Sequence, residues 1–166
     1  MHKVHEITNI QDLDVLFSLS IGKIYVIKFS ALWCKPCQDL KERYSQISQN
    51  YNNIVFINID TDNDNSNDQI KISDYFNVST LPTILVIKSE GNLPSSKEVN
   101  KIILHRTEGK DLSSLIYFIN NLNYDMNSKT NNTNIPIDRF QPPNINFNRE
   151  IGYNSSLGDD VYEKNA

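Results

Sequence analysis

The sequence predicts an α/β fold for residues 1–123, followed by a low-complexity tail. Runs of β-branched and aromatic residues, typical of buried strands, alternate along the chain with segments whose apolar residues recur every three or four positions, as in helices. This alternation ends near Asn123, and residues 124–166 are rich in Asn, Ser, Asp and Pro with apolar residues scattered singly. We therefore expect one domain at residues 1–123 and a polar tail at residues 124–166, either disordered or loosely docked.

The N-terminal part of the domain is predicted to contain a short strand, a helix and a buried strand. The first strand is Val4–Ile7. Thr8 and Gln11 have the spacing of a capping box, so a helix should begin there and run through Leu19. The β-branched and aromatic run Ile24–Ser30 predicts a strand buried in a sheet.

The middle of the domain is predicted to alternate in the same way. A helix should begin near Lys35, because apolar residues then recur at helical spacing. The next buried strand is Ile54–Ile59, and the polar loop Asp60–Asp68 leads to a short helix near Ile70–Phe76. The residues that define the helix after Lys35 are Cys37, Leu40, Tyr44, Ile47 and Tyr51.

Two strands and a helix are predicted to complete the domain. The strands are Thr83–Ile87 and Ile102–Arg106, and the segment Lys88–Lys101 between them is a loop because it contains Gly91 and Pro94. The final helix follows Gly109. Its apolar face is formed by Leu112, Leu115, Ile116, Ile119 and Leu122.

Composition argues against two classes of partner. The net charge is −4 and no basic stripe is present, so we expect no nucleic-acid binding. No segment approaches the roughly 18 apolar residues that cross a bilayer, and the N-terminal residues lack the apolar stretch of a secretory signal. We therefore expect a cytoplasmic protein with no membrane partner.

The chemistry is predicted to lie in the two cysteines, Cys34 and Cys37, which flank Lys35 and Pro36 where a strand meets a helix. Unpaired N–H groups and the dipole at a helix N-terminus favour a thiolate, and Lys35 adds positive charge beside it. Both effects should lower the pKa of the Cys34 thiol, and the thiolate is the species that attacks. Pro36 is tolerated in the first helical turn, where its missing N–H costs nothing. We expect an exposed Cys34 to be the nucleophile and a shielded Cys37 to resolve.

Two other interpretations of the cysteine pair are a zinc site and a pair of inert buried thiols. A structural zinc site needs about four ligands, and His2, His5 and His105 are scattered rather than spaced for one. We therefore expect no metal and no cofactor. The spacing of the cysteines alone is a weak signal, but its place between strand and helix makes it much stronger.

Two motifs resemble the thioredoxin family. The segment Phe29–Cys37, which reads Phe-Ser-Ala-Leu-Trp-Cys-Lys-Pro-Cys, resembles the active-site segment of that family. Leu81-Pro82-Thr83 resembles its second marker, which opens a later strand, and Asn58–Asp60 resembles the end of its third strand. The resemblance runs over residues 2–122. It implies a thioredoxin fold, with a central mixed β-sheet flanked by helices.

The resemblance also implies a substrate groove. It suggests a cis peptide bond between Leu81 and Pro82 facing the cysteines, and cis bonds are almost confined to Xaa-Pro. The backbone of Leu81 would then pair with an extended substrate segment, as in strand addition. Trp33, Pro36, Leu81 and Pro82 would line this groove, with Trp33 as part of an apolar landing surface.

Two lysines depart from the family pattern and are expected to tune the pKa of the cysteines. Lys28 stands where thioredoxins commonly hold a buried acid, and Lys35 replaces their common glycine. Lys28 has three alternatives: buried and charged, buried and neutral as a proton acceptor, or buried by its stem with the ammonium in water. Together the two lysines suggest a disulfide more oxidising than that of thioredoxin.

The predicted function is that of a thiol–disulfide oxidoreductase, an enzyme that reduces or exchanges protein disulfides through Cys34 and Cys37. Its expected partners are disulfide-containing proteins and an external reductant, either a thioredoxin-reductase-like protein or a small thiol. An oxidase or isomerase would use the same chemistry but would require a secretory route. The alternative from another class is a thioredoxin-fold binding or assembly module without redox turnover.

Overall fold

The computed structural model describes residues 4–64 and 70–128 of the chain. In order, the elements are β1 (His5–Glu6), α1 (Ile10–Ser18), β2 (Ile24–Ser30), α2 (Lys35–Ser48), β3 (Ile54–Asp60), α3 (Ile72–Tyr75), β4 (Thr83–Lys88), a 3-10 helix (Val99–Lys101), β5 (Ile103–Glu108) and α4 (Ser113–Ser128). No helix in these ranges is long and apolar enough to cross a membrane.

The strands form one mixed sheet in the order β1-β3-β2-β4-β5. Strand β3 runs parallel to both β1 and β2, while β4 is antiparallel to β2 and β5 is antiparallel to β4. The predicted thioredoxin fold, with a central mixed sheet flanked by helices, is confirmed.

Each face of the sheet carries its own apolar cluster, because alternate residues of the strands point to opposite faces. One cluster packs α1 and α3 against the sheet, with Leu13, Phe17, Ile72 and Phe76 fully buried. The other packs α2 and α4 against the opposite face through Leu40, Tyr44, Ile47, Leu112, Leu115 and Ile119. The sheet therefore lies between two helical layers, and the end of β2 is held firmly at its centre.

The start of α1 differs from the prediction. The N-cap is Asn9 rather than Thr8, and its side-chain oxygen accepts the N–H of Asp12 at 2.8 Å. Asp12 in turn accepts the side-chain amide of Asn9 at 2.7 Å, so the reciprocal pair is one residue further along than the predicted Thr8 and Gln11. Asn is at least as good an N-cap as Thr, which explains the shift.

Three other boundaries also differ. The segment predicted as loop 88–101 ends in the 3-10 helix Val99–Lys101 and places Val99 in the core. Strand β5 continues to Glu108 rather than ending at Arg106. Helix α4 continues to Ser128, so it includes the first residues of the predicted tail, and the remainder of that prediction, residues 129–166, lies outside the described residues.

Candidate active site

The cysteine pair lies where β2 ends and α2 begins, as the sequence predicted. Cys34 is the N-cap of α2 and has an extended backbone conformation. Its Sγ accepts the backbone N–H of Cys37 at 3.3 Å, and the same N–H lies 3.1 Å from the Cys34 carbonyl oxygen in the first turn of the helix. The two residues form a disulfide with 5.3 Å between their Cα atoms. A sulfur held in this way is placed where negative charge is favoured.

Solvent exposure does not separate the two cysteines. Cys34 is 4% exposed and Cys37 is 3% exposed, so the expectation of an exposed Cys34 beside a shielded Cys37 is wrong for the disulfide form. The reason is local packing, because Ala31 and the half-buried Leu81 lie against both cysteines. A difference in reactivity between the two sulfurs must therefore come from the position of Cys34 at the helix start and from the side on which a partner approaches.

Trp33 and Pro36 form an exposed border on one side of the disulfide. Trp33 is 72% exposed, and its indole Nε1 donates to Oδ1 of Asp62 at 3.1 Å. Pro36 lies exposed in the first turn of α2. Asp62 belongs to the loop after β3, and the sequence did not single it out because several acidic residues stand together there. The hydrogen bond from Trp33 to Asp62 orients the exposed indole, a large apolar surface beside the cysteines.

Leu81 contributes a second surface beside the disulfide and is followed by Pro82. The peptide bond between them is cis, as the resemblance implied, and Pro82 is buried. Leu81 packs against the cluster that contains both cysteines. Within residues 4–64 and 70–128, no group is hydrogen-bonded to the backbone N–H or carbonyl of Leu81. A backbone with free donor and acceptor groups can pair with an extended chain.

Lys28 is buried on the face of the sheet that α2 covers. It is 4% exposed, lies between Asn58 and Ile84 in the sheet register, and its ammonium is 4.8 Å from the ring centroid of Tyr44. Burial lowers the pKa of Lys28, which the negative charge of Glu6 partly opposes. The stem of Lys28 is thus buried, as all three alternatives suppose.

Tyr44 holds the aromatic ring that Lys28 faces. Its hydroxyl lies within hydrogen-bonding distance of two carbonyl oxygens, 2.9 Å from that of Val26 and 2.8 Å from that of Ile57. Burial raises the pKa of Tyr44 well above its ordinary value, so the phenol is neutral. A neutral ring presents its negative face to the Lys28 ammonium, a favourable cation–π arrangement.

Lys35 is placed differently from Lys28. Its side chain is 78% exposed and its ammonium pairs with the carboxylate of Asp39 one turn further along α2. An exposed charge with a partner acts on its surroundings through screened, high-dielectric solvent. Lys28, not Lys35, is therefore the lysine whose charge is least screened.

Histidine, cysteine and acidic side chains are dispersed in the part of the chain that the structure describes. No three His, Cys, Asp or Glu side chains are grouped there in a way that could hold an ion. The chemistry of the site is that of two sulfur atoms, an exposed indole and a free peptide backbone.

Comparisons with known proteins agree with this geometry. The Thioredoxin family model matches residues 14–107. Thioredoxin H4-2 of Oryza sativa subsp. japonica is 33% identical over 102 residues, which are 60% of this chain and 69% of that protein. Thioredoxin H-type of Populus jackii is 30% identical over 117 residues, covering 68% of this chain and 78% of that protein.

A solved structure shows the same fold. The thioredoxin of Trypanosoma brucei brucei superposes with a TM-score of 0.59 at 20% sequence identity, covering 74% of this chain and 93% of that one.

Proposed function

Because this chain belongs to the thioredoxin family and is a thiol–disulfide oxidoreductase, we propose that it reduces disulfide bonds in protein substrates. The observation that carries the proposal is the Cys34–Cys37 disulfide at the start of α2, with the unpaired backbone of Leu81 beside it. A redox-active sulfur and a surface for an extended chain are then adjacent. A redox-inactive binding module would not need both cysteines at the helix start.

The proposed reaction proceeds through a mixed disulfide. The Cys34 thiolate attacks one sulfur of the substrate disulfide, a Cys34–substrate bond forms, and the other substrate sulfur leaves and takes a proton. Cys37, as a thiolate, then attacks the Cys34 sulfur and releases the second substrate thiol. Two electrons pass from the pair to the substrate, and the Cys34–Cys37 disulfide is restored. An external thioredoxin-reductase-like protein or a small thiol must then reduce the pair again.

The proposed substrate groove lies between the two borders of the disulfide. Trp33 and Pro36 form one border, and Leu81 and Pro82 form the other. An extended substrate segment would pair with the Leu81 backbone and rest its apolar side chains against the indole. Substrates of this kind are proteins, because a strand-like segment is needed on each side of the reacting disulfide. A reducing compartment such as the cytoplasm suits the activity, since it supplies thiol reductants.

Lys28 is proposed to tune the redox potential of the pair, with Lys35 contributing less because it is exposed and paired with Asp39. A buried positive charge favours the thiolates of the reduced form and makes the disulfide more oxidising. We expect a potential above about −270 mV in equilibration with glutathione buffers. A value at or below that figure would contradict the role given to Lys28.

Insulin reduction tests the proposed function. With dithiothreitol as the electron source, the native protein should accelerate precipitation of the insulin chains, and Cys34→Ser should abolish the acceleration. Ser45→Ala, which removes one side-chain oxygen from α2 away from the disulfide, is the matched control and should leave the rate unchanged. Equal rates for native protein and Cys34→Ser would favour a binding module instead.

A further inference from the structure

The chain segment that carries Leu81 is held at both ends by β5. We call residues 77–82 the groove segment; it connects α3 to β4. Before its first residue, the carbonyl of Phe76 accepts a hydrogen bond from Nη2 of Arg106 at 2.7 Å. At its far end, the carbonyl of Pro82 accepts the backbone N–H of Gly109 at 2.9 Å. The ends are therefore tied to one strand and to the residue that follows it.

The two terminal nitrogens of the Arg106 guanidinium contact several acceptors at once, an arrangement we call the Arg106 fork. In addition to the bond to Phe76, its Nη1 lies 3.4 Å from the carbonyl of Asn77 and 3.3 Å from a carboxylate oxygen of Glu108. Arg106 is half-buried and pairs with Leu85 in the register of β4 and β5. A planar guanidinium can donate in several fixed directions at once, which a lysine ammonium on a flexible stem does not reproduce.

Arg106 adds to a turn that the backbone also holds. The N–H of Val78 donates to the carbonyl of Ser73 at 2.8 Å, and the N–H of Asn77 donates to the carbonyl of Asp74 at 3.1 Å. Helix α3 ends at Tyr75, so nearby carbonyls lack helical partners, and Asn77 has a positive φ of 52°. Both features mark a sharp change of direction in the main chain. The Arg106 fork satisfies the carbonyls of Phe76 and Asn77, which that backbone turn leaves without partners, and ties the start of the groove segment to β5.

Val78 and Leu81 pack against the apolar cluster beneath α1 and α3, and beyond the N–H of Val78 the described part of the chain gives the interior of the groove segment few hydrogen bonds. Ser79 and Thr80 are exposed, and within the segment's surroundings the Thr83 hydroxyl donates to the Thr80 carbonyl at 2.7 Å. Leu81 rests on the cysteine cluster by its side chain, and no described residue is hydrogen-bonded to its backbone groups. The direction of the Leu81 N–H and carbonyl therefore depends on how the segment is held at its ends.

We propose that Arg106 is a positioning residue for extended protein substrates, which it serves by fixing the groove segment and with it the Leu81 backbone. The inference rests on the proposed function, because it supposes that substrate pairs with Leu81. Arg106 touches neither sulfur and takes no part in electron transfer. A disulfide too small to span the groove needs only access to Cys34, so its reaction is independent of Arg106.

Comparison of a large and a small disulfide substrate tests this role. The reduced protein is mixed with insulin or with hydroxyethyl disulfide, and oxidation is followed by the fluorescence of Trp33, the single tryptophan. For Arg106→Met we expect the rate constant with insulin to fall about fivefold to tenfold, since pre-organisation of the pairing edge is lost. The rate constant with hydroxyethyl disulfide should stay within about twofold of the native value, and Arg106→Lys should lie between native and Met because it can satisfy one carbonyl.

A control variant and a second measurement separate positioning from general damage. Lys101→Met removes an exposed ion pair with Glu98 from the turn before β5, and it should change neither rate constant. Amide hydrogen exchange within residues 78–81 is read at Val78, whose N–H donates to the Ser73 carbonyl at 2.8 Å; it should quicken in Arg106→Met, with the strands β2 and β3 unaffected.

The outcomes are distinguishable. An equal fall with both substrates, or unchanged exchange at residues 78–81, would overturn the role given to Arg106. If the native protein failed to reduce insulin, the proposed function would fail by itself. The exchange measurement would still decide whether Arg106 holds the groove segment.

Discussion

Lys28 is a residue whose substitution is expected to change both stability and redox chemistry. It places an ammonium over the ring of Tyr44, on the sheet face that α2 and α4 cover with an apolar cluster. Removal of a charge from water costs free energy that one cation–π contact does not fully repay. The residue is therefore expected to reduce stability while it favours the reduced form of the cysteine pair.

The stability effect of Lys28 should depend on pH. Because burial lowers the pKa of Lys28 below its ordinary value of 10.5, the unfolded chain binds more protons in the range between the lowered pKa and 10.5, and the free energy of unfolding rises with pH there. We predict that Lys28→Met raises the free energy of unfolding at pH 7 by about 1–2 kcal/mol, a gain that shrinks as the pH approaches 10.5. Urea unfolding at several pH values measures this.

Lys88→Met is the control for that series, because Lys88 is exposed at the end of β4 and should change stability little at any pH. A Lys28→Met protein less stable than the native one at pH 7 would mean that the ammonium is a net stabiliser. Lys28→Met should also lower the redox potential of the cysteine pair by about 15–30 mV. An unchanged potential would contradict the proposal that Lys28 tunes it.

The sequence located Lys28 but did not decide its state. Its place on a β-branched strand predicted burial, yet three outcomes for its ammonium remained open. The decision depends on Tyr44 from α2 and Glu6 from β1, and neither is near Lys28 in the sequence. Arg106 and Asp62 escaped notice for the same reason, since their partners come from other elements.

At the scale of elements, α3 shows how a short helix is kept in place by a distant side chain. Asp64, in the loop after β3, is 1% exposed. Its carboxylate accepts the backbone N–H groups of Ile72 and Ser73, both at 2.8 Å, and the hydroxyl of Ser73 at 2.9 Å. A helix of four residues has little stability of its own, so these bonds supply much of what fixes it.

Asp64→Ala should therefore destabilise the protein strongly for a loop substitution. We predict a loss of about 2–3 kcal/mol in the free energy of unfolding, because two backbone donors and a hydroxyl are left buried without an acceptor. Asp64→Asn should lose less, since its amide oxygen still accepts. Chemical denaturation measures both, with Asp74→Ala, an exposed acid in the same helix, as the control. A loss of stability no greater than that of Asp74→Ala would contradict the role of Asp64 in fixing α3.

The elements themselves were largely predictable, and their ends less so. Long periodic segments such as Ile24–Ser30 and the helix after Lys35 carried a strong signal. The cap at Asn9 lay beside a plausible alternative at Thr8, and local sequence could not choose between them. Nothing near Asp64 distinguished it from the other acids of its loop, because its partners lie beyond that loop.

For the whole molecule, the apolar cluster beneath α2 and α4 includes α4 side chains as far along as Leu122. We predict that a chain ending at Ser128, the last residue of α4, unfolds at the same urea concentration as the full chain. It should also reduce insulin at the same rate within about twofold, because the described apolar clusters and the candidate site lie within it. Loss of either property would show that residues 129–166 contribute to the domain.

The overall architecture followed from two local motifs and one pattern of alternation. The cysteine motif at a strand–helix junction and the Leu81-Pro82-Thr83 motif lie far apart in sequence, and the fold brings them together around the disulfide. What could not be predicted was the shared burial of the two cysteines, since it depends on packing by Leu81. The position of Cys34 at the helix start is therefore a better guide to which sulfur attacks than the solvent exposure of the two cysteines.

Alkylation of the fully reduced protein with iodoacetamide at pH 7 tests the central claim most directly. The modified residue is identified by mass spectrometry, and the rate is compared with that of free cysteine. Cys34, at the helix start, should be modified before Cys37 and about tenfold faster than free cysteine or more, because it is ionised at that pH. A Cys34 that reacts no faster than free cysteine, or more slowly than Cys37, would contradict the account.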